Sequence, residues 1–220
     1  MSTDNRAARL DAIAQKIQIC RDCRLYEQAQ KAVPGYGDPN ADILFIGEAP
    51  GQEEDRQGLP FVGRSGQYLD YLLKLVGMKR EQVFITNVVK HRPPGNRDPN
   101  PDEIIACKHY LDEQFAVIDP LVVATLGRFS MARYFPDAKI SRIHGQPKYQ
   151  DGRAYYPLFH PAAALRNPGL RHDMEADIKR LVEVVEEVKR RRASGKFETA
   201  SAPQVKEEDE DGPPAQLKLF

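Results

Sequence analysis

The sequence predicts an α/β domain built on a mostly parallel sheet of four strands flanked by helices. Three observations predict it. Four short apolar runs, each the length of a buried strand, are spread over residues 42–159. Stretches with apolar residues at helical spacing alternate with them, the order that produces parallel pairing through helical crossovers. Glycine- and proline-rich or polar segments follow the runs, at the strand ends where such sheets bind ligands.

Each element has its own warrant. Residues 6–19 carry Leu10, Ile13 and Ile17 at helical spacing and open the domain with a helix. Cys20 and Cys23 follow in "CRDC". The first strand is "DILFIG" at 42–47, closed by Gly47. Residues 47–66, "GEAPGQEEDRQGLPFVGRSG", crowd glycines, prolines and acids around one aromatic, Phe61, and predict neither helix nor strand. Ser65 is positioned as an N-cap before the stripe Leu69, Leu72, Leu73 and Val76. "VFITNVV" at 83–89 is the second strand. Asn100, Pro101, Asp102 and Glu103 supply a cap, an N1 proline and an acidic first turn to a helix reaching about Phe115. "LVVATLG" at 121–127 is the third strand, with a short helix after it, and "AYYPLF" at 154–159 is the fourth. Met174, Ile178, Leu181, Val182, Val185 and Val188 line a final helix, whose basic end "KRRR" suits the negative pole of its dipole.

Composition bounds the function. A chain of 220 residues supports one sizeable domain, here residues 1–193. No apolar run approaches a membrane span, and the polar start "MSTDNRAARLD" lacks the core of a secretory signal. Three cysteines are an odd number for a disulfide framework, which predicts a reducing cytoplasm. The net charge of zero hides an asymmetry: residues 197–220 carry six acids and two lysines, a balance of −4, leaving +4 on the rest. A mildly basic body is compatible with a polyanionic partner without establishing one. Residues 194–220 are rich in Ala, Ser, Pro and acid and predict a disordered tail.

The segments "GEAPG", "TNVVKHRPPGNRDP", "GRFS" and "HPAAALRNP" all sit at strand ends, so one composite site is expected. Taken singly, their residues leave bland readings open: Phe61 as a core anchor, Asn87 as a strand-end turn residue, His160 as a capped strand end. Cys20, Cys23, Cys107 and a histidine, His91, would by spacing alone favour zinc. A thioredoxin-like reading of "CRDC" is weak, since the motif does not sit between a strand and a helix of a βαβ unit.

Together, "GEAPGQEEDRQGLPFVGRSG", "TNVVKHRPPGNRDPNPDEIIAC" and "HPAAALRNP" resemble the signature segments of family 4 uracil-DNA glycosylases, in order, over about residues 10–190. The resemblance implies a monofunctional enzyme that flips uracil out of DNA and hydrolyses its N-glycosidic bond, starting base excision repair. It implies that Phe61 stacks on the base and that Asn87 reads its edge. His160 would donate to O2 as negative charge gathers there. Glu48 would hold the attacking water or stabilise the sugar cation, beside Gly47 and Ala49, the latter standing where better-known relatives carry an aspartate. Glu54 would shape the pocket or hold its loop through backbone N–H groups. Leu165 would wedge into the vacated stack, with Arg64 and Arg166 on phosphates. No lysine matches a nucleophile position.

The same resemblance implies a 4Fe-4S cluster on Cys20, Cys23, Cys107 and, in place of a fourth cysteine, His91; a structural zinc is the alternative. A related branch, the UdgX-type uracil-DNA-binding proteins, traps the sugar covalently through a histidine in a basic insertion. His144 stands in "SRIHG" without such an insertion, so turnover is expected over trapping. Finally, Gln216, Leu217, Leu219 and Phe220 in "QLKLF" resemble the peptide by which bacterial repair proteins dock on the sliding clamp, with the acidic tail as tether. The protein is expected to act as a monomer.

Overall fold

The computed structural model describes residues 3–195 and Phe197. In chain order the elements are α1 (Thr3–Gln18), β1 (Tyr36–Gly37), β2 (Ile43–Gly47), α2 (Gln52–Gln57), α3 (Arg64–Leu75), β3 (Phe84–Asn87), α4 (Pro101–Ile118), β4 (Val122–Leu126), α5 (Arg128–Ala132), α6 (Ile140–Ile143), β5 (Lys148–Gln150), β6 (Arg153–Leu158), α7 (Pro161–Arg166) and α8 (Arg171–Ala193). Short 3-10 turns fill several of the connections.

The sheet runs in the order β1-β3-β2-β4-β6-β5. Its four inner strands are parallel and are the four that the apolar runs predict. Two short antiparallel edges, β1 on β3 and β5 on β6, were not foreseen from the sequence. Along each inner strand the side chains alternate between two cores. Ile43, Phe45, Ile85, Val122 and Ala124 face α3 and α8. Leu44, Ile46, Phe84 and Val123 face α1 and α4. Burial on both faces is why these strands read as continuous apolar runs.

Strand order reverses beside β2: the chain next builds β3 on one side of it, then crosses to β4 on the other. Such a switch point opens a crevice beyond the carboxyl ends of the strands.

Three local readings are corrected. The segment 47–66 is not wholly irregular: Gln52–Gln57 form helix α2, ended by Gly58 in the left-handed region at φ 77°. Ser65 is not a cap, since α3 begins one residue earlier behind Gly63. Helix α4 passes Phe115 and stops at Ile118, where Asp119 turns left-handed and returns its N–H to the Phe115 carbonyl. At its start the predicted cap holds, with Glu103 accepting the Asn100 backbone N–H at 2.7 Å. Phe197 packs against the core on the α3 and α8 side. Among the described residues no helix is long and apolar enough to cross a membrane.

Candidate active site and cysteine site

A cavity of about 500 Å³ opens at the switch point, walled by the ends of all four parallel strands. Strand β2 delivers Glu48 and Ala49, β3 delivers Asn87, β4 delivers Gly127 and Arg128, and β6 delivers Phe159 and His160. The loop after β2 adds Glu54 and Phe61.

The cavity floor is Asn87, 1% exposed, whose Oδ1 is buried without a hydrogen-bond partner. A buried acceptor left unmatched is costly, so this oxygen is poised for a donor brought by a ligand. Gly47 is required beneath it. A Cβ there would stand 2.3 Å from Asn87 Oδ1 and 2.6 Å from the Phe61 ring.

Phe61 is 4% exposed and holds φ at 50°, a conformation that costs a non-glycine residue energy. Two neighbours hold it there. Arg80 donates from Nη2 to its carbonyl at 2.6 Å, and Gly66 leaves room, since a Cβ there would lie 1.8 Å from that same oxygen. The Phe61 ring lies 5.6 Å from the His160 ring, tilted by 32°.

His160 caps α7 at its N-terminus, and its Nδ1 accepts the Ala162 backbone N–H at 3.1 Å. With Nδ1 an acceptor, the ring proton is on Nε2, which is then a donor. Burial, and secondarily the Arg166 charge, push its pKa down to about 4, so the ring is neutral at physiological pH. Glu48 is displaced the other way. Burial first and the charge of Asp98 second push it up to about 7, against Arg128 and Arg166.

Glu54 lines the cavity, but its carboxylate is committed to the loop. It accepts the backbone N–H groups of Gly51, Val62 and Gly63 at 3.1, 2.9 and 2.8 Å. Of its two expected roles, the structure supports loop holding. Arg166 lines the cavity while Arg64, exposed on the first turn of α3, does not. Leu165 is half-buried beside the cavity wall, and Ala164 is fully buried in the core, which leaves Leu165 the side chain able to project. Asp98 and Arg128, an ion pair on the rim, were missed. The position of "GRFS" after a strand was the signal for Arg128.

His144 is absent from the cavity lining. Its Nδ1 meets Asp177 Oδ2 at 2.8 Å and its ring lies 4.5 Å from that of Phe159, tilted by 35°.

The three cysteines converge elsewhere, on the α1 and α4 side. Cys20 lies two residues past the end of α1, Cys23 precedes a 3-10 turn, Cys107 lies on α4, and all three join that core. The Cys107 thiol is pushed up to about 11, chiefly by burial, while the backbone N–H of Lys90 donates to its sulfur. Cys23 is raised by burial and accepts the Leu25 N–H. His91 shares a cavity wall with Cys20, and burial lowers its pKa, leaving a neutral imidazole. Among the described residues no three His, Cys, Asp or Glu side chains already stand in ion-holding geometry. The donor set nevertheless fits a thiolate-bound group: soft sulfur ligands, a neutral imidazole, and backbone N–H groups aimed at two of the sulfurs.

Comparison with known proteins agrees with this architecture. Residues 34–186 match the family model of the uracil DNA glycosylase superfamily. The type-4 uracil-DNA glycosylase of Sulfurisphaera tokodaii is 45% identical over 185 residues, covering 80% of this chain and 84% of the relative. That of Archaeoglobus fulgidus is 41% identical, covering 80% and 92%. That of Thermotoga maritima is 41% identical, covering 72% and 84%.

Proposed function

The chain belongs to the uracil DNA glycosylase superfamily, among the type-4 enzymes, and from that premise we propose that it excises uracil from DNA at the switch-point cavity. The observation that carries the reading is the unpartnered Oδ1 of Asn87, facing a cavity that also holds a neutral, Nε2-protonated His160.

The uracil is turned out of the helix and enters against Phe61. Asn87 Oδ1 accepts its N3–H and the Asn87 amide donates to O4. Cytosine offers the opposite pattern and would leave both groups unpaired, which is where discrimination originates. His160 donates from Nε2 to O2. As the N1–C1′ bond breaks, its electron pair moves onto the base and negative charge gathers on O2. A neutral donor held in place strengthens its bond at that moment. Glu48, once ionised, orients a water toward C1′ and faces the sugar cation. Water adds at C1′ and loses a proton, leaving an abasic sugar and free uracil. No lysine lines the cavity among the described residues, in keeping with hydrolysis without strand cleavage. Arg128 and Arg166 suit flanking phosphates and Leu165 the gap in the stack.

Cys20, Cys23, His91 and Cys107 would hold the iron–sulfur cluster. Bound there, the cluster would supply a covalent tie between the end of α1, the segment after β3 and α4, outside the reacting centre. Gln216, Leu217, Leu219 and Phe220 lie outside the described residues; on sequence pattern they dock the enzyme on a sliding clamp. The enzyme is read as a monomer of the cytoplasm.

The test is incubation with an oligonucleotide carrying one uracil, in excess over enzyme. Repeated release of uracil with accumulating abasic sites supports the reading. A denaturation-resistant adduct at one-to-one stoichiometry would instead indicate covalent trapping.

A further inference from the structure

The rim of the cavity carries an ion pair that excision itself does not use. Asp98 comes from the loop after β3 and Arg128 is the first residue of α5. Both line the cavity, and Arg128 Nη2 donates to Asp98 Oδ2, tying the ends of two neighbouring loops. The side chains of Asp98 and Arg128 are 58% and 66% exposed. An ion pair so wet adds little to folding, so stability does not account for its place at the mouth.

The two partners are mounted differently. Arg97 donates from Nη1 to the Asp98 carbonyl at 2.9 Å, and grips Glu103 through Nη1 at 2.9 Å and Nη2 at 2.7 Å. Glu103 is 0% exposed and caps α4 through the Asn100 N–H. Asp98 therefore stands on an arm built into the start of that helix. Arg128 reaches out on a long side chain, its guanidinium 4.7 Å from the Phe129 ring. The acid is the fixed partner and the guanidinium the movable one.

A guanidinium takes a carboxylate or a phosphate through the same fork of N–H donors. A nucleotide entering the cavity brings its phosphates to the rim, where Arg128 and Arg166 stand. A phosphate gains Arg128 only by displacing Asp98, and the carboxylate left behind repels it. Behind burial, Asp98 raises and Arg128 lowers the pKa of Glu48, so both charges reach the reacting centre. We propose that Asp98 is a phosphate surrogate: it holds Arg128 in the free protein, is exchanged for a DNA phosphate when a nucleotide enters, and so sets how loosely the protein holds DNA. This exchange rests on the reading of the cavity as the site of uracil excision.

The experiment is a double-mutant cycle read by binding to the full chain. One duplex carries a single 2′-fluoro-arabino-deoxyuridine, which resists cleavage, and its control carries thymine there. Asp98→Asn is expected to tighten binding to the uracil duplex by about threefold to fivefold, the scale of one exposed ion pair. Arg128→Met is expected to weaken binding and to lower the slope of log affinity against log salt by about one. In the Arg128→Met background, the gain from Asp98→Asn is expected to fall below about twofold, since only repulsion is left to relieve. Both side chains are exposed, so neither substitution reaches the core.

Unchanged or weaker binding by Asp98→Asn overturns the exchange. So does a gain in Arg128→Met as large as in the wild-type background, which would make Asp98 a general repulsive charge. Equal wild-type affinity for the uracil and thymine duplexes would overturn the uracil reading instead, and the cycle at 98 and 128 would still be read on either duplex.

Discussion

The amide of Asn87, the imidazole of His160 and the carboxyl of Glu48 occupy one cavity, and each is set by a different cause. Asn87 is held by its backbone, so its contribution is recognition. Asn87→Ala is expected to lose uracil excision at single turnover by about 10²-fold with little change in DNA affinity, and Asn87→Asp to relax discrimination against cytosine. A wild-type rate for Asn87→Ala would remove it from the site. His160 is fixed as a neutral donor by the bond to Ala162, so His160→Ala is expected to cost about 10²-fold in the chemical step. An effect seen in DNA affinity alone would contradict that. Glu48 supplies a pH signature. Its carboxyl holds a proton up to about pH 7, so the single-turnover rate is expected to rise through that pH and then level, and Glu48→Gln to flatten the limb. Its pKa is raised in the folded chain, so folding takes up a proton between the ordinary carboxylate range and pH 7, and stability falls as pH rises through that window. Glu48→Gln should accordingly raise the melting temperature more at pH 8 than at pH 5, and equal shifts at both would deny the burial effect.

Helix α2 shows how a six-residue element can carry a pocket wall. Glu54 gathers three backbone N–H groups from both sides of the loop, so Glu54→Ala leaves buried donors unmatched and is expected to cost about 2–3 kcal/mol in denaturant unfolding. A cost below about 0.5 kcal/mol would mean water replaces the carboxylate there. The next residue, Asp55, accepts the N–H of Gln30 at 2.8 Å and so pins the wall beside His91. Helix α2 and the Asp55 contact were not readable beforehand, and for Glu54 loop holding was one of two expected roles. Glycines at 51 and 58 hide a short helix from any periodicity argument, and whether a glutamate faces a ligand or its own loop is a matter of tertiary approach. The four inner strands were legible because burial on both faces forces continuous apolar runs. Edge strands of two and three partly exposed residues leave no such trace. Asn87, His160 and Phe61 each had a bland reading when taken singly, and it was the resemblance of their three segments that pointed to one site. The Arg80 grip on the Phe61 carbonyl, joining residues 19 apart, was not legible.

At the scale of the whole molecule the base cavity and the cysteine site lie on opposite sides of the end of β3, with Asn87 and His91 four residues apart. Purified protein is expected to be brown, with broad absorption at the edge of the visible; colourless protein with one zinc would refute the cluster. His91→Cys should retain or strengthen the colour if His91 is a ligand. The peptide Pro213–Phe220 is expected to bind a sliding clamp at micromolar strength, about −8 kcal/mol, and alanine at Leu219 and Phe220 to abolish it while excision on short oligonucleotides is unchanged. Loss of both together would place those residues in the folded domain. The two-residue strand β1 carries one more consequence. It covers the free backbone edge of β3, and it fits only because position 37 is glycine, where a Cβ would lie 1.8 Å from the Val83 carbonyl. A side chain at 37 would lift β1 and present that edge to other chains, an invitation to strand-by-strand aggregation, while the rest of the chain keeps its place over the sheet. Light scattering of Gly37→Val should rise with concentration and fall when a peptide carrying the β1 sequence is supplied; scattering equal to wild type would mean the edge stays covered.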